Sequence, residues 1–340
     1  MRLFRLPRTP HRGDRSDDRR RALWAAGAAA VVTALLVWCL LPSPGSTPSG
    51  TLTMTTGVPS GVYARYGELL RQRVERDLPR VTMRLHPSEG SVENLARVAT
   101  GRADLTIAQA DVVADYLDTG RPGSHRLRAC ARLYDDYLQL LVPADSPVRR
   151  VRDLRGLRVG VGETGSGVAV TATRLLRAAG LSPGRDLTTV SRGIDAMPRL
   201  LAEHELDAFF WSGGLPTTAV HRLAERTPVR LVPLGDLLPE LRRQGVGTRH
   251  YRAAVMPADA YPSMRHRRPV ETIAVPNLLV TTDRADAELI EGVTRSVIRG
   301  RDRIGREVHA AQLVDLRTAI YTDPLALHEG AEHYYRSTKS

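Results

Sequence analysis

Cysteine is almost absent from this chain. Only Cys39 and Cys130 occur in 340 residues, and Cys39 lies in an apolar run near the start. Beyond that run no intramolecular disulfide and no cysteine-based metal site can form. Cys130, in Leu127-Arg-Ala-Cys-Ala-Arg-Leu133, reads as a small buried apolar residue. Lysine is rarer still. Lys339 is the single one, so arginine carries nearly all of the basic side of the +12 net charge. Eight arginines stand against three aspartates in residues 1–21, and the remaining arginines are scattered among Asp and Glu. With no basic stripe and no interleaved aromatics, the charge has no nucleic-acid footprint.

Catalytic constellations are missing as well. There is no His-Glu-x-x-His metal helix, no Gly-x-Ser-x-Gly elbow and no P-loop Gly-Lys-Ser/Thr, and the ten histidines are dispersed. His328 reads as a structural residue at a helix start. The sequence therefore predicts a protein that is not an enzyme, with no cofactor and no metal.

One long apolar run is present. Ala22 to Leu41 carries no charge, and as a helix of about 30 Å it would cross a bilayer. Arg19-Arg20-Arg21 before it belongs on the cytoplasmic side, which places the rest outside the cell as an anchored extracytoplasmic protein. The competing reading is a cleaved signal peptide and a secreted chain. No small-x-small cleavage site follows the run, and bulky Trp38 before Cys39 argues against a lipoprotein site. Residues 42–50, rich in Pro, Ser and Gly, read as a tether.

Beyond the tether, strand-like and helix-like segments alternate, which predicts an α/β fold. Ser-Gly-Val occurs twice, at Ser60-Gly61-Val62 and Ser166-Gly167-Val168, each time between an apolar strand and a helix. Each copy is followed by an acid and a short apolar strand ending in polar groups: Asp104 to Gln109 and Asp111, then Asp207 to Trp211, Ser212 and Gly213. The pattern predicts two similar lobes, one of residues 51–142 with 271–340 and one of 143–270. Tyr137–Pro143 and Glu271–Thr281 would cross between them as a hinge.

Helix N-termini hold anions with their unpaired N–H groups. Gly90-Ser91, before Asn94, is a third start of this kind. The candidate ligand-binding set is Thr56, Ser60, Tyr63, Gly90, Ser91, Asn94, Gln109, Asp111, Thr164, Ser166, Gly167, Trp211, Ser212 and Gly213. Gln109 and Asp111 could read an amide or ammonium group, with a helix N-cap as the other role for Asp111. Trp211 and Tyr63 could wall the pocket or pack in a core. Gly160-Val-Gly162-Glu-Thr-Gly165 also matches a dinucleotide fingerprint, and an NAD(P)-dependent enzyme is the rival reading. Against it, the following strand ends in Ser191-Arg192 rather than the acid that a ribose requires.

Seven segments stand in order: Thr56-Gly-Val-Pro-Ser-Gly-Val-Tyr63, Gly90-Ser-Val-Glu-Asn94, Gln109-Ala-Asp111, Asp153-Leu-Arg-Gly-Leu-Arg-Val-Gly160, Gly165-Ser-Gly167, Asp207-Ala-Phe-Phe-Trp-Ser-Gly-Gly-Leu-Pro216 and His328-Glu-Gly-Ala-Glu-His-Tyr-Tyr335. Over residues 50–336 the set resembles the TAXI family, the solute receptors of tripartite ATP-independent periplasmic (TRAP) transporters. The resemblance implies a two-lobed, type II-like periplasmic-binding-protein fold closing on a small organic anion or amino acid, such as glutamate or a dicarboxylate. It implies a multispan TRAP permease as partner and places Thr56, Tyr63, Ser91, Asn94, Gln109, Ser166 and Trp211 near the ligand. Two departures stand out: Val168 replaces the usual Thr, and Glu329 the usual Pro. A sensor that presents its ligand state to a membrane kinase is a further reading of the same fold.

Overall fold

The computed structural model describes residues 48–264 and 268–338, with Trp24 and Thr33 as isolated positions. The basic tail, the predicted membrane helix 22–41 and most of the tether lie outside the described residues. Among the described residues no helix is long and apolar enough to cross a membrane.

The chain builds the same unit twice. In the first, β1 (Gly50–Thr55) buries Leu52 and Met54 on alternate positions. Helix α1 (Val62–Asp77) then buries Tyr66, Leu69, Leu70 and Val74 along one stripe, while Arg71 pairs with Glu68 and Glu75 on its outer side. β2 (Val81–His86), α2 (Ser91–Ala99), β3 (Leu105–Gln109) and α3 (Ala110–Asp118) complete it. β4 (Leu127–Pro143) leads to the second unit: β5 (Arg158–Gly160), α4 (Gly167–Ala178), β6 (Thr188–Val190), α5 (Met197–Ala202) and β7 (Ala208–Gly213). α6 (Thr218–Arg226), β8 (Val229–Leu231), α7 (Leu238–Leu241) and β9 (Arg252–Met256) follow, and β10 (Val270–Thr282) returns to the first half. α8 (Ala287–Gly305) and α9 (Glu329–Ser337) close the chain.

The ten strands form one sheet in the order β2-β1-β3-β10-β4-β7-β5-β6, with β8 beside β4 and β9 beside β10. The order mirrors the repeat: β1 runs parallel between β2 and β3, and β5 parallel between β6 and β7. The acids that open β3 and β7 make matching contacts. Asp104 exchanges bonds with the backbone of Thr53, its Oδ2 accepting at 2.7 Å and its N–H donating at 2.8 Å. Asp207 does the same to Arg158, at 2.7 and 2.9 Å.

β3 and β7 are buried along their whole length, as expected of strands covered by helices on both faces. One core, with Leu140, Leu175, Leu201, Phe209 and Val229, fills the second half. In the first half α1, α8 and α9 cover one face of the sheet, and α2 and α3 cover the other. Cys130 is buried among apolar neighbours, and His328 caps α9 by accepting from Gly330 N–H at 3.1 Å. The helical periodicity from Asp283 to Val314 resolves into α8, capped by Asp286, and a separate 3-10 turn at 309–313. At Gly305 the chain folds back so closely that an added Cβ would lie 2.5 Å from the Gln312 side chain.

Candidate functional site

Both Ser-Gly-Val turns open onto one cavity of about 60 Å³ between the halves. Gly61, Val62 and Tyr63 line it from the start of α1, and Ser166, Gly167 and Val168 from the start of α4. These are the turns of the helices that leave N–H groups without intrahelical partners. The N–H groups of Val62, Tyr63, Gly167 and Val168 have no acceptor among the described residues. Two positive helix ends, one from each half, therefore converge on the same small space.

The third helix start behaves differently. The N–H groups of Val92 and Glu93 donate to the Gly165 carbonyl at 3.1 and 3.3 Å, so α2 is capped by the opposite half. Gly90 makes that approach possible: its φ of +129° suits glycine, and an added Cβ would lie 3.2 Å from Ser166 Cα. The third helix start is thus partly spent on the opposite half, though Gly90 and Ser91 still line the cavity.

Of the predicted residues, Tyr63, Gly90, Ser91, Gln109, Ser166, Gly167, Trp211, Ser212 and Gly213 line the cavity. Their side chains are tightly engaged. Tyr63 OH donates to Asn277 Oδ1 at 2.5 Å and meets Ser91 Oγ at 3.2 Å. Ser91 Oγ accepts from Gln109 N–H at 3.2 Å. Ser166 Oγ is spent on its own helix, accepting from Ala169 N–H at 3.1 Å, so Ser166 contributes wall rather than a free hydroxyl. Trp211 donates its indole N–H to Thr217 Oγ1 at 2.9 Å and packs in the second core while also lining the cavity.

Thr56, Ser60, Asn94, Asp111 and Thr164 do not line it. Thr56 donates to the His86 carbonyl at 3.3 Å beneath α1. Asn94 is fully buried and ties β1, the Ser88 turn and β3 together through Thr55, Thr56, Ser88 and Ile107. Thr164 turns outward to Ser191 Oγ at 3.0 Å, and Ser60 reaches Asp195 outside the cavity, bridging the halves. Asp111 sits in the first turn of α3, where Gln109 is the N-cap, and its Oδ2 accepts from Arg174 at 2.8 Å and from Tyr251 OH at 2.5 Å. Both roles expected for Asp111 give way to a buried ion pair between the halves.

Three acids line the cavity unforeseen: Glu89, Asp136 and Glu163. Asp136 lies within β4, and its Oδ2 accepts from Gln109 Nε2 at 2.9 Å and from Ser212 Oγ at 3.4 Å. The Asn277 side chain hydrogen-bonds the same carboxyl. Burial pushes the Asp136 carboxyl up to about 7, against the pull of hydrogen bonds from Gln109, Asn277 and Ser212. Burial, and then the nearby Glu163 carboxylate, raise Glu89. Among the described residues no arginine, lysine or histidine lines the cavity.

Gly167 sits where the halves press together. A Cβ there would lie 2.0 Å from Gln109 Oε1 and 3.1 Å from Ser91 Oγ. The Gln109 amide is pinned by Asp136 and Ser212, so it has nowhere to go. Gly167→Ala is expected to hold the halves apart and to weaken solute binding at least ~10-fold, with helix α4 intact because Ala is a good helix former. Calorimetric titration beside far-ultraviolet circular dichroism measures both.

Comparison with known proteins places this geometry. The family model described as the NMT1-like family matches residues 54–338. Among solved structures, one titled as the structure of a periplasmic transporter aligns at a TM-score of 0.51 and 13% identity, over 86% of this chain and 94% of that one. The alkanesulfonate-binding protein SsuA from Xanthomonas axonopodis pv. citri, bound to MOPS, aligns at 0.47 and 17% identity, over 86% and 85%. The periplasmic aliphatic sulphonate binding protein SsuA from Escherichia coli aligns at 0.46 and 14%, over 84% and 79%. The fold is the α/β periplasmic-binding-protein type, type II-like.

Proposed function

From its membership of the NMT1-like family, which the match over residues 54–338 establishes, we propose that this chain is an extracytoplasmic solute receptor that serves a membrane transporter. It binds and releases; it is not an enzyme. The carrying observation is the convergence of two helix N-termini, one from each half, on one cavity with their N–H groups unpartnered. A small solute carrying a carboxylate completes those groups and joins the halves, the chemistry of helix-end anion binding. The lobes are residues 51–142 with 271–340 and residues 143–270, and residues 22–41 anchor the chain. The ordered motifs from Thr56 to Tyr335 favour a TAXI-type receptor, and so a multispan TRAP permease as the recipient.

A thermal-shift screen of amino acids and dicarboxylates tests the reading. A solute at 100 times its Kd adds about 2.7 kcal/mol of stability, so a true ligand at millimolar concentration raises the Tm by several degrees. A panel that leaves the Tm unmoved removes the receptor reading.

A further inference from the structure

The segment that leads into β9 makes a contact between the halves apart from the cavity wall. Residues 242–251 fold back on themselves, with Thr248 Oγ1 donating to the Gly245 carbonyl at 2.7 Å and Arg242 to the Tyr251 carbonyl at 2.9 Å. Gln244 Nε2 ties the segment to α4 by donating to the Arg174 carbonyl at 3.0 Å. At its tip the 3-10 turn Gly247–His250 presses on α3 of the other half. A Cβ on Gly247 would lie 2.5 Å from the Asp111 carbonyl oxygen and from Asp115 Oδ1. His250 ends the turn and is 8% exposed. Its Nδ1 stands 3.6 Å from Asp323 Oδ2 of the first half, and its Nε2 is buried with no hydrogen-bond partner.

A buried imidazole with one nitrogen unpartnered stays neutral, because a proton there would be a charge with little water around it. The groups facing it from each packed element set the balance. Asp323, in the loop before α9, and Asp115, on α3, draw a proton toward His250, while Arg249 on its own turn repels one. Burial outweighs the acids and holds the imidazole below its ordinary 6.5. Arg174 of α4 is engaged with Asp111 and Asp115, and Tyr251 OH with Asp111. Parting the halves strips α3 and Asp323 from His250 and returns it to ordinary titration, so in acid the open state binds the extra proton. Asp111 and Asp136 are raised by burial and pull the opposite way, toward closure in acid. Resting on the receptor reading above for what the motion achieves, we propose that His250 is an acid-sensitive latch between the halves. It permits closure while its imidazole is neutral and loosens when it takes up a proton, so that acidification through His250 opposes closure and promotes release of the solute.

Hydrogen exchange in the ligand-free full chain reads the latch directly. The amides of Val92 and Glu93 bond to the Gly165 carbonyl of the other half, so they exchange when the halves part. The experiment is run in an Asp136→Asn background, which removes an opposing titration, and the pH dependence of chemical exchange is divided out. Acidification from pH 7.5 to 5.5 then lowers the protection of both amides at least ~3-fold. Adding His250→Gln, which leaves a neutral polar side chain in place, flattens that dependence. The same pH dependence with and without His250 overturns the latch. Titration of the His250 imidazole by nuclear magnetic resonance in the wild-type chain gives a second reading that needs no variant to fold. A midpoint below the ordinary histidine value supports the latch, and one at or above it overturns it. No solute is present in either experiment, so their failure leaves the receptor reading in place, whereas a silent thermal-shift panel removes the receptor reading and leaves the latch.

Discussion

Arg174→Ala is expected to lower the unfolding free energy by about 3–5 kcal/mol at pH 8, the usual cost of stripping the partner from a buried charge. Arg174 projects from α4 and donates to Asp111 Oδ2 at 2.8 Å, and it also pairs with Asp115. Its guanidinium lies 5.9 Å from the centroid of the Tyr251 ring, and Tyr251 OH donates to the same Asp111 oxygen. The Asp111 side chain is 0% exposed, and its Oδ1 has no partner. Burial already raises the Asp111 carboxyl, with Arg174 pulling the other way. Without Arg174 the folded chain holds Asp111 protonated, while the unfolded chain ionises it at the ordinary carboxylate value. The deficit therefore grows with pH and is smaller at pH 5 than at pH 8. Replacing both partners, Asp111→Leu with Arg174→Met, costs less than Arg174→Ala alone, since no charge is left stranded. Urea unfolding of the three variants at both pH values is the measurement. A loss under about 1 kcal/mol for Arg174→Ala at pH 8 would show that the pair does not hold the halves together.

Asp136→Asn carries the second large effect, and its sign is the opposite one. The Asp136 carboxyl stands near 7 in the ligand-free fold, whereas an unfolded chain holds it near its ordinary 3.8. Between those values the folded state binds more protons than the unfolded state, so stability falls as pH rises. The loss begins above about 4, is complete above about 7, and reaches up to roughly 4 kcal/mol by linkage. Asparagine cannot ionise. The variant therefore matches the wild type near pH 4 and exceeds it at pH 8. Other titrating groups around Asp136 do not mimic this trend. From α1 and β4, Tyr63 and Tyr134 are both raised well above 10 by burial and stay neutral. Asp135, next to Asp136 on β4, is paired with Arg132 and Arg252. Asp111 influences Tyr63 from α3 but is paired with Arg174. Glu89 and Glu163, on the cavity wall, remain in both proteins. Unfolding of the ligand-free wild type and variant across pH 4–8 gives the comparison; parallel curves would falsify the assignment of this charge to Asp136. The cavity thus gives up stability at neutral pH to hold a buried carboxylate.

The doubled unit was legible because punctuation marks it. Glycine-rich turns between a strand and a helix, and acids opening β3 and β7, need particular residue types at particular backbone positions. The cavity residues that such turns carry, from Tyr63 to Gly213, could be read for the same reason. Asp136 could not. It sits inside Leu133-Tyr134-Asp135-Asp136-Tyr137, where the sequence reading begins the crossing strand only at Tyr137. Two consecutive acids within a strand must point to opposite faces, and one facing a core or cavity is the signal that was available. Asp111 misled because its partner, Arg174, lies in the other half of the chain, and no local pattern reports an ion pair of that span. Ser60 and Ser166 share a motif, yet one reaches across to Asp195 and the other caps its own helix. Pattern identifies the turn; packing decides what its hydroxyl does.

β4 and β10 lie side by side at the centre of the sheet and are the two strands that run through both halves. Their pairing ends where Tyr137 meets Ala274, and the register of β10 slips around Pro276 and again after Leu279. Mechanically the pair is a ribbon with a soft waist. A ribbon laced by hydrogen bonds flexes out of its plane far more readily than its strands slide along one another. We expect the halves to rock about that waist rather than to shear. Rocking of that kind would return Gly165 to the same N–H groups of α2 on each closure.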